Sequence, residues 1–245
     1  MRSTYLLRTL SHYRLPQYRE HLTRWGNARE RLHHQHLVFP KRRRDWLLGR
    51  LTAKEMIQHY IQSHYGRYYA FNEIEILNSD TGQPYFRIGS DDQFSFDSRI
   101  YFSISHSRGR ALCALAELGS DAGLGVDVEF VTSRPKLFAD TFYDEDEKNQ
   151  LATYCGSEFQ QAETAIWSLK EAALKALGQG LKTDTYRVSV ALTSAPRSTW
   201  TEQRITLDVG QKTRASAWMC FQDGYVLSWV MTVTDRNRNL SDNLP

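Results

Sequence analysis

Cysteine is scarce: the chain holds 3, at Cys113, Cys155 and Cys220, all far apart. An odd number so spaced excludes a disulfide framework and a paired zinc motif, and points to a reducing compartment. Long apolar runs are missing as well, since no stretch approaches the ~20 residues a membrane-spanning helix needs. The opening M-R-S-T-Y-L-L-R-T-L has neither the apolar core nor the cleavage site of a secretory signal. A cytoplasmic protein without a membrane partner is therefore expected. Nor does one sign of charge dominate. Lys and Arg total 31 against 28 Asp and Glu, a formal net charge of +3. That balance does not demand nucleic acid and suits a protein that handles phosphates or an acidic protein partner. What is present is ordinary for a globular chain: 245 residues, 41% hydrophobic and 24% charged, enough for one large domain or two small ones.

The most informative stretch is W-S-L-K-E-A-A-L-K-A-L-G from Trp167 to Gly178. Its Ala, Leu, Lys and Glu predict a helix to Leu177, stopped by Gly178 in a left-handed cap. Ile166, Leu169, Ala173, Ala176 and Leu177 share one side and predict a core face. Trp167, Glu171 and Lys175 recur every fourth residue and form a second stripe. Lys170 lies nearer the apolar arc than a solvating lysine should. Read plainly, Glu171 and Lys175 are an exposed ion pair worth ~0.2–0.5 kcal/mol.

Upstream, Leu124, Val126 and Val128 alternate with Gly125, Asp127 and Glu129. The alternation predicts a strand with Asp127 and Glu129 side by side on one face. Two like charges so placed gain nothing in a plain sheet. A hard divalent cation would relieve them, and Glu171 supplies a third carboxylate if the helix packs beside the strand.

Elsewhere the pattern predicts a helix from Asp45 through Ile61, after the basic run Lys41-Arg42-Arg43-Arg44. It predicts strands at Glu73–Leu77, Ile100–Ser107, Ala111–Leu118, Tyr186–Leu192, Arg204–Val209, Thr213–Phe221 and Tyr225–Thr234. Asp223-Gly224 reads as a tight hairpin turn. Residues 135–154 read as a helix, a break and an acidic helix start. Asn27–Phe39 is helix-compatible, and His33 and His36 there lack a third metal ligand. Gly119-Ser120-Asp121-Ala122-Gly123 is the best internal boundary.

Together, G-V-D-V-E at Gly125–Glu129 and W-S-L-K-E-A-A-L-K at Trp167–Lys175 resemble the paired signature of the surfactin-type 4′-phosphopantetheinyl transferases. F-S-I-S-H-S at Phe102–Ser107 resembles that family's F-N-I-S-H-S. The resemblance is dense over Phe102–Leu181 and thin outside it. It implies an α+β pseudo-dimer of two similar halves with the active site in the cleft between them. The halves would be residues 1–119 and 120–236, with a polar tail at 237–245. The implied reaction is Mg²⁺-dependent (Mn²⁺ is possible) transfer of 4′-phosphopantetheine from coenzyme A to a serine of an apo acyl or peptidyl carrier protein. 3′,5′-ADP is released, and a monomer is expected.

By the same resemblance, Asp127, Glu129 and Glu171 hold the metal, while Glu171 also serves as base and Lys175 stabilises the leaving group. His106 and Lys170 contact phosphate. Arg43, Arg44 and Arg50 lie near the 3′-phosphate of coenzyme A. Gly82, Gln83 and Pro84 touch its adenine end, with Gln83 replacing a family lysine. Residues 135–154 help form the carrier-protein surface. Two other classes use the same features: a metal-dependent phosphotransferase or phosphodiesterase acting on a nucleotide-like substrate, and a nucleic-acid binder resting on Lys41–Arg44. The latter lacks an aromatic-interleaved RNA motif. A degenerate family member would have lost a metal or lysine position, and all are present here.

Overall fold

Period-two alternation sets the strands and two long amphipathic helices cover them. The structure is a computed structural model that describes residues 3–13, 25–89, 100–179, 184–210 and 212–235. In chain order the elements are β1 (Ser3–Thr9), α1 (Ala28–His36), α2 (Pro40–Tyr65), β2 (Ile74–Asn78), β3 (Pro84–Ile88), β4 (Ile100–Ser107), β5 (Arg110–Glu117) and β6 (Ala122–Phe130). Then come α3 (Lys136–Phe142), α4 (Glu145–Leu151), α5 (Gly156–Ala176), β7 (Val188–Ala191), β8 (Thr201–Leu207), β9 (Thr213–Gln222) and β10 (Tyr225–Thr234).

The termini follow local chemistry. Pro40 opens α2, where its missing N–H costs nothing, and Gly66 closes it at φ 66°. Gly178 follows α5 at φ 69°, the left-handed stop expected from sequence. The hairpin turns Arg108-Gly109 and Asp223-Gly224 have positive φ at both central residues, matching the twist of the strands they join. Two helices are longer than the sequence suggested. α2 takes in Lys41–Arg44, and α5 begins at Gly156, because F-Q-Q-A-E-T-A ahead of Trp167 contains good helix formers. The strand expected at Tyr186–Leu192 starts with a 3₁₀ turn, Thr185–Arg187, capped by the Asp184 carboxylate. The one expected at Arg204–Val209 runs instead over Thr201–Leu207. The predicted tail, 237–245, lies outside the described residues, as does Leu181.

One antiparallel sheet has the order β1-β5-β4, a second β6-β10-β9-β8-β7, and β2-β3 form a separate hairpin. The two larger sheets repeat a connection order. A first strand (β1, β6) leads to a long helix (α2, α5), and the last strand (β5, β10) returns between that first strand and its own predecessor (β4, β9). Alternation on β5 sends Cys113 and Leu115 toward α2, and Leu112, Ala114 and Ala116 toward the second sheet. On β10, Val226 and Val230 face α5 while Leu227 and Trp229 face the first sheet. The fold is therefore α+β and layered as helix, sheet, sheet, helix.

Trp167 pins α5 to α3, with its ring edge-on to Phe138 at 4.9 Å and to Phe142 at 5.1 Å. Trp167→Ala is expected to lower unfolding stability by about 3 kcal/mol, the scale of a lost packed aromatic. Urea unfolding reads this directly, and an unchanged midpoint would show that the ring is not an anchor.

Candidate active site

The site is built where β6 and α5 touch backbone to backbone. A methyl group added at Gly125 would lie 1.8 Å from the Ala172 carbonyl oxygen, and one at Gly123 would lie 1.9 Å from that of Ala176. Only glycine permits so close an approach. Asp127 and Glu129 continue the same face of β6 and meet Glu171 and Lys175, one turn apart on α5. One carboxylate oxygen from each of Asp127, Glu129 and Glu171 lies within 4.8 Å of the others.

Lys175 ties the group together. Its Nζ donates to Asp127 Oδ1 at 2.7 Å and to the Val126 carbonyl at 3.2 Å, and lies 3.8 Å from Glu171 Oε2. Ser105 Oγ donates to the same Asp127 Oδ1 at 2.7 Å. Asp127 Oδ2 is left buried with no hydrogen-bond partner. Burial, then the Asp127 carboxylate, push the Glu171 carboxyl up to about 8, against the pull of Lys175. Burial and Asp127 likewise raise Glu129 to about 7, with Arg134 and Lys175 opposing. Burial works against the Lys175 charge, but Asp127 and Glu171 outweigh it and raise its pKa. An orphaned buried oxygen and crowded, oxygen-only donors fit a hard divalent cation such as Mg²⁺ or Mn²⁺.

These residues form one wall of a cleft of about 350 Å³. The opposite wall comes from the first half: Trp46, Gly49 and Arg50 of α2, Asn78, Gly82 and Pro84 of the β2-β3 hairpin, and Ile104, Ser105 and His106 of β4. Gly49 lets α2 lie against β4, since a methyl group there would sit 3.2 Å from the His106 ring. Crowding in the cleft lowers the His106 pKa, Asp45 opposing and Lys175 adding to the effect. Arg50 lies over the Trp46 ring at 5.4 Å, and its Nη1 is buried without a partner.

Residues 123–234 match the model of the 4′-phosphopantetheinyl transferase superfamily. That segment is under half of the chain. A holo-[acyl-carrier-protein] synthase from Geobacillus sp. is 40% identical over 73 residues, which is 30% of this chain and 57% of that protein. The 4′-phosphopantetheinyl transferase HetI from Nostoc sp. is 27% identical over 157 residues, 63% of this chain and 60% of that protein. The chain thus spans under two thirds of the length of these curated relatives. A holo-(acyl-carrier-protein) synthase from Bacillus anthracis, solved in complex with CoA (3′,5′-ADP), has a TM-score of 0.37 at 17% identity. That match covers 45% of this chain and 95% of the other. The fold assignment rests on the sheet order and not on that superposition.

The structure gathers Asp127, Glu129, Glu171, Lys175, His106, Arg50, Gly82 and Pro84 around one cleft. Other expected residues point elsewhere. Lys170 does not reach the cleft. Its side chain is fully buried, 2.7 Å from the equally buried Glu147 carboxylate, and it donates to the Thr185 carbonyl at 3.2 Å. It joins α5 to α4 and to the approach to β7. Arg43 donates to the carbonyls of Leu37 and Gln35, satisfying the end of α1, and Arg44 is exposed outside the cleft lining. Gln83 lies against Gly178 at the end of α5, so it bridges the halves instead of lining the cleft. His33 and His36 are exposed, and neither joins a group of three metal-ligating side chains among the described residues. Sequence reasoning missed Ser105, Trp46 and Asn78. For Ser105 a signal existed in the alternating serines of F-S-I-S-H-S.

Two outcomes follow from these contacts. Added Mg²⁺ is expected to raise the unfolding temperature of the parent protein, and Gly125→Ala should stay expressed but lose that shift, because α5 must move off β6. Retention of the full Mg²⁺-dependent shift would contradict the close-approach account. Lys170→Ala should cost about 3–5 kcal/mol in urea unfolding by leaving Glu147 buried without a counter-charge. A loss of anion binding without loss of stability would instead return Lys170 to the cleft.

Proposed function

We propose that this chain is a holo-[carrier protein] synthase: it transfers 4′-phosphopantetheine from coenzyme A to a serine hydroxyl of an apo acyl or peptidyl carrier protein and releases 3′,5′-ADP. The observation that carries this reading is the convergence of Asp127, Glu129, Glu171 and Lys175 on a cleft between two topologically matching halves. The halves are read as residues 1–119 and 120–236. The superfamily match and the relatives' names support the choice of phosphopantetheine over another phosphoryl-type group.

The transfer makes a serine Oγ–P bond and breaks the P–O bond to 3′,5′-ADP within the pyrophosphate of coenzyme A. Asp127, Glu129 and Glu171 would hold Mg²⁺ or Mn²⁺, which supplies charge neutralisation of that pyrophosphate when bound. Glu171 is positioned to take the serine proton at a carboxylate oxygen. Lys175, kept cationic by its carboxylate neighbours, stabilises the charge developing on the departing phosphate. Arg50 and His106 line the same cleft and fit contacts to the nucleotide's phosphates, while Gly82 and Pro84 fit its adenine end. Lys170, Arg43, Arg44 and Gln83 have no part in this scheme.

Intact mass of apo carrier proteins, incubated with the chain, coenzyme A and Mg²⁺, tests the reading. A gain of one phosphopantetheine is expected, abolished by EDTA and slowed at least about a hundredfold in Asp127→Asn and Glu171→Gln. No gain on fatty-acid, polyketide or peptidyl carriers, together with no binding of coenzyme A, would overturn it in favour of a metal-dependent phosphotransferase on another nucleotide-like substrate.

A further inference from the structure

β4 and β6 are edge strands of different sheets, yet they lie alongside each other. No backbone ladder joins them among the described pairings. What joins them is a row of hydroxyls. β4 reads I-Y-F-S-I-S-H-S, so Ser103, Ser105 and Ser107 share one face, while Phe102, Ile104 and His106 share the other. Phe102 and Ile104 pack with the α2 core. The serines face β6 in step with it. Ser103 Oγ accepts from the Val126 N–H at 3.1 Å, an edge amide that would otherwise lack a partner. Ser105 Oγ donates to Asp127 Oδ1 at 2.7 Å.

The consequence for the carboxylates is specific. Asp127 Oδ1 is doubly occupied, by Ser105 and by Lys175, at 2.7 Å each. Its Oδ2 is buried and free. A carboxylate held at one oxygen presents the other in a fixed direction. Outer-shell partners of this kind generally fix a ligand's orientation and set affinity for the metal.

We infer that Ser105 is a positioning residue for the divalent cation site, so that the first half of the chain tunes metal affinity in the second through a hydroxyl on β4. This rests on the reading of Asp127, Glu129 and Glu171 as metal ligands. Ser103 differs from it, because it meets backbone and not a ligand, and it serves only the seam between the sheets.

The probe is Mn²⁺ alone, titrated into the purified full chain and followed by electron paramagnetic resonance of the free ion, with unfolding temperature measured in parallel. Wild type is expected to bind one Mn²⁺, and Asp127→Asn to abolish binding. Ser105→Ala should weaken binding about 10- to 100-fold while remaining folded. Ser105→Thr, which restores a hydroxyl, should recover affinity relative to Ser105→Ala. Ser103→Ala should lower the unfolding temperature and leave Mn²⁺ affinity unchanged. A folded Ser105→Ala with wild-type affinity would overturn the inference while leaving the metal site intact. Equal weakening in Ser103→Ala would also overturn it, reducing both serines to seam packing. A wild type that binds no Mn²⁺ would remove the metal reading and this inference with it.

Discussion

The structure depends on one backbone contact: β6 against α5, at a separation only Gly123 and Gly125 allow. Everything chemical in the cleft inherits its position from that contact. It sets how far Glu171 and Lys175 on the helix stand from Asp127 and Glu129 on the strand. It also accounts for the small residues on the facing side of α5, where Ala172, Ala173 and Ala176 are buried. The arrangement concentrates like charge, and the raised Glu129 and Glu171 carboxyls record the cost. Lys175 relieves part of it. The orphaned Asp127 oxygen marks what remains unrelieved, and a divalent cation is the simplest group to complete it.

A second layer of organisation comes from the match between halves. In each, the closing strand returns between the first strand and the one before it, beneath a long helix. The sheets press together through Leu112, Ala114, Val126, Val128 and Leu227. Where their edges meet, the cleft opens. Its walls are unequal: carboxylates and a lysine from the second half, and Arg50, His106 and the β2-β3 hairpin from the first. The likeness of the two sheets is thus one of connection order, while the side chains they bring to the cleft differ.

Much of the second half could be read from sequence because its signals are local. The alternation of L-G-V-D-V-E fixes which side chains share a face, and the four-residue spacing of Glu171 and Lys175 fixes their stripe. What sequence could not give was direction where the partner is distant. Lys170 is next to Glu171 but about 100° around the helix, and it turns to Glu147, a residue with no local signal connecting the two. Arg43 belongs to a basic run that looks made for phosphate, yet it completes the end of the preceding helix. Gln83 sits between two cleft residues and packs against Gly178. The need for Gly125 was likewise hidden, because it arises from the Ala172 carbonyl and not from any local turn.

The central claim is that this strand–helix contact assembles a three-carboxylate cation site in the cleft. Anomalous diffraction at the manganese edge, on crystals soaked with Mn²⁺, tests it most directly. The account predicts one peak bounded by Asp127, Glu129 and Glu171, with Asp127 Oδ2 facing it and Ser105 still bonded to Oδ1. No peak at saturating Mn²⁺, or one bound elsewhere with the three carboxylates uncoordinated, would contradict it.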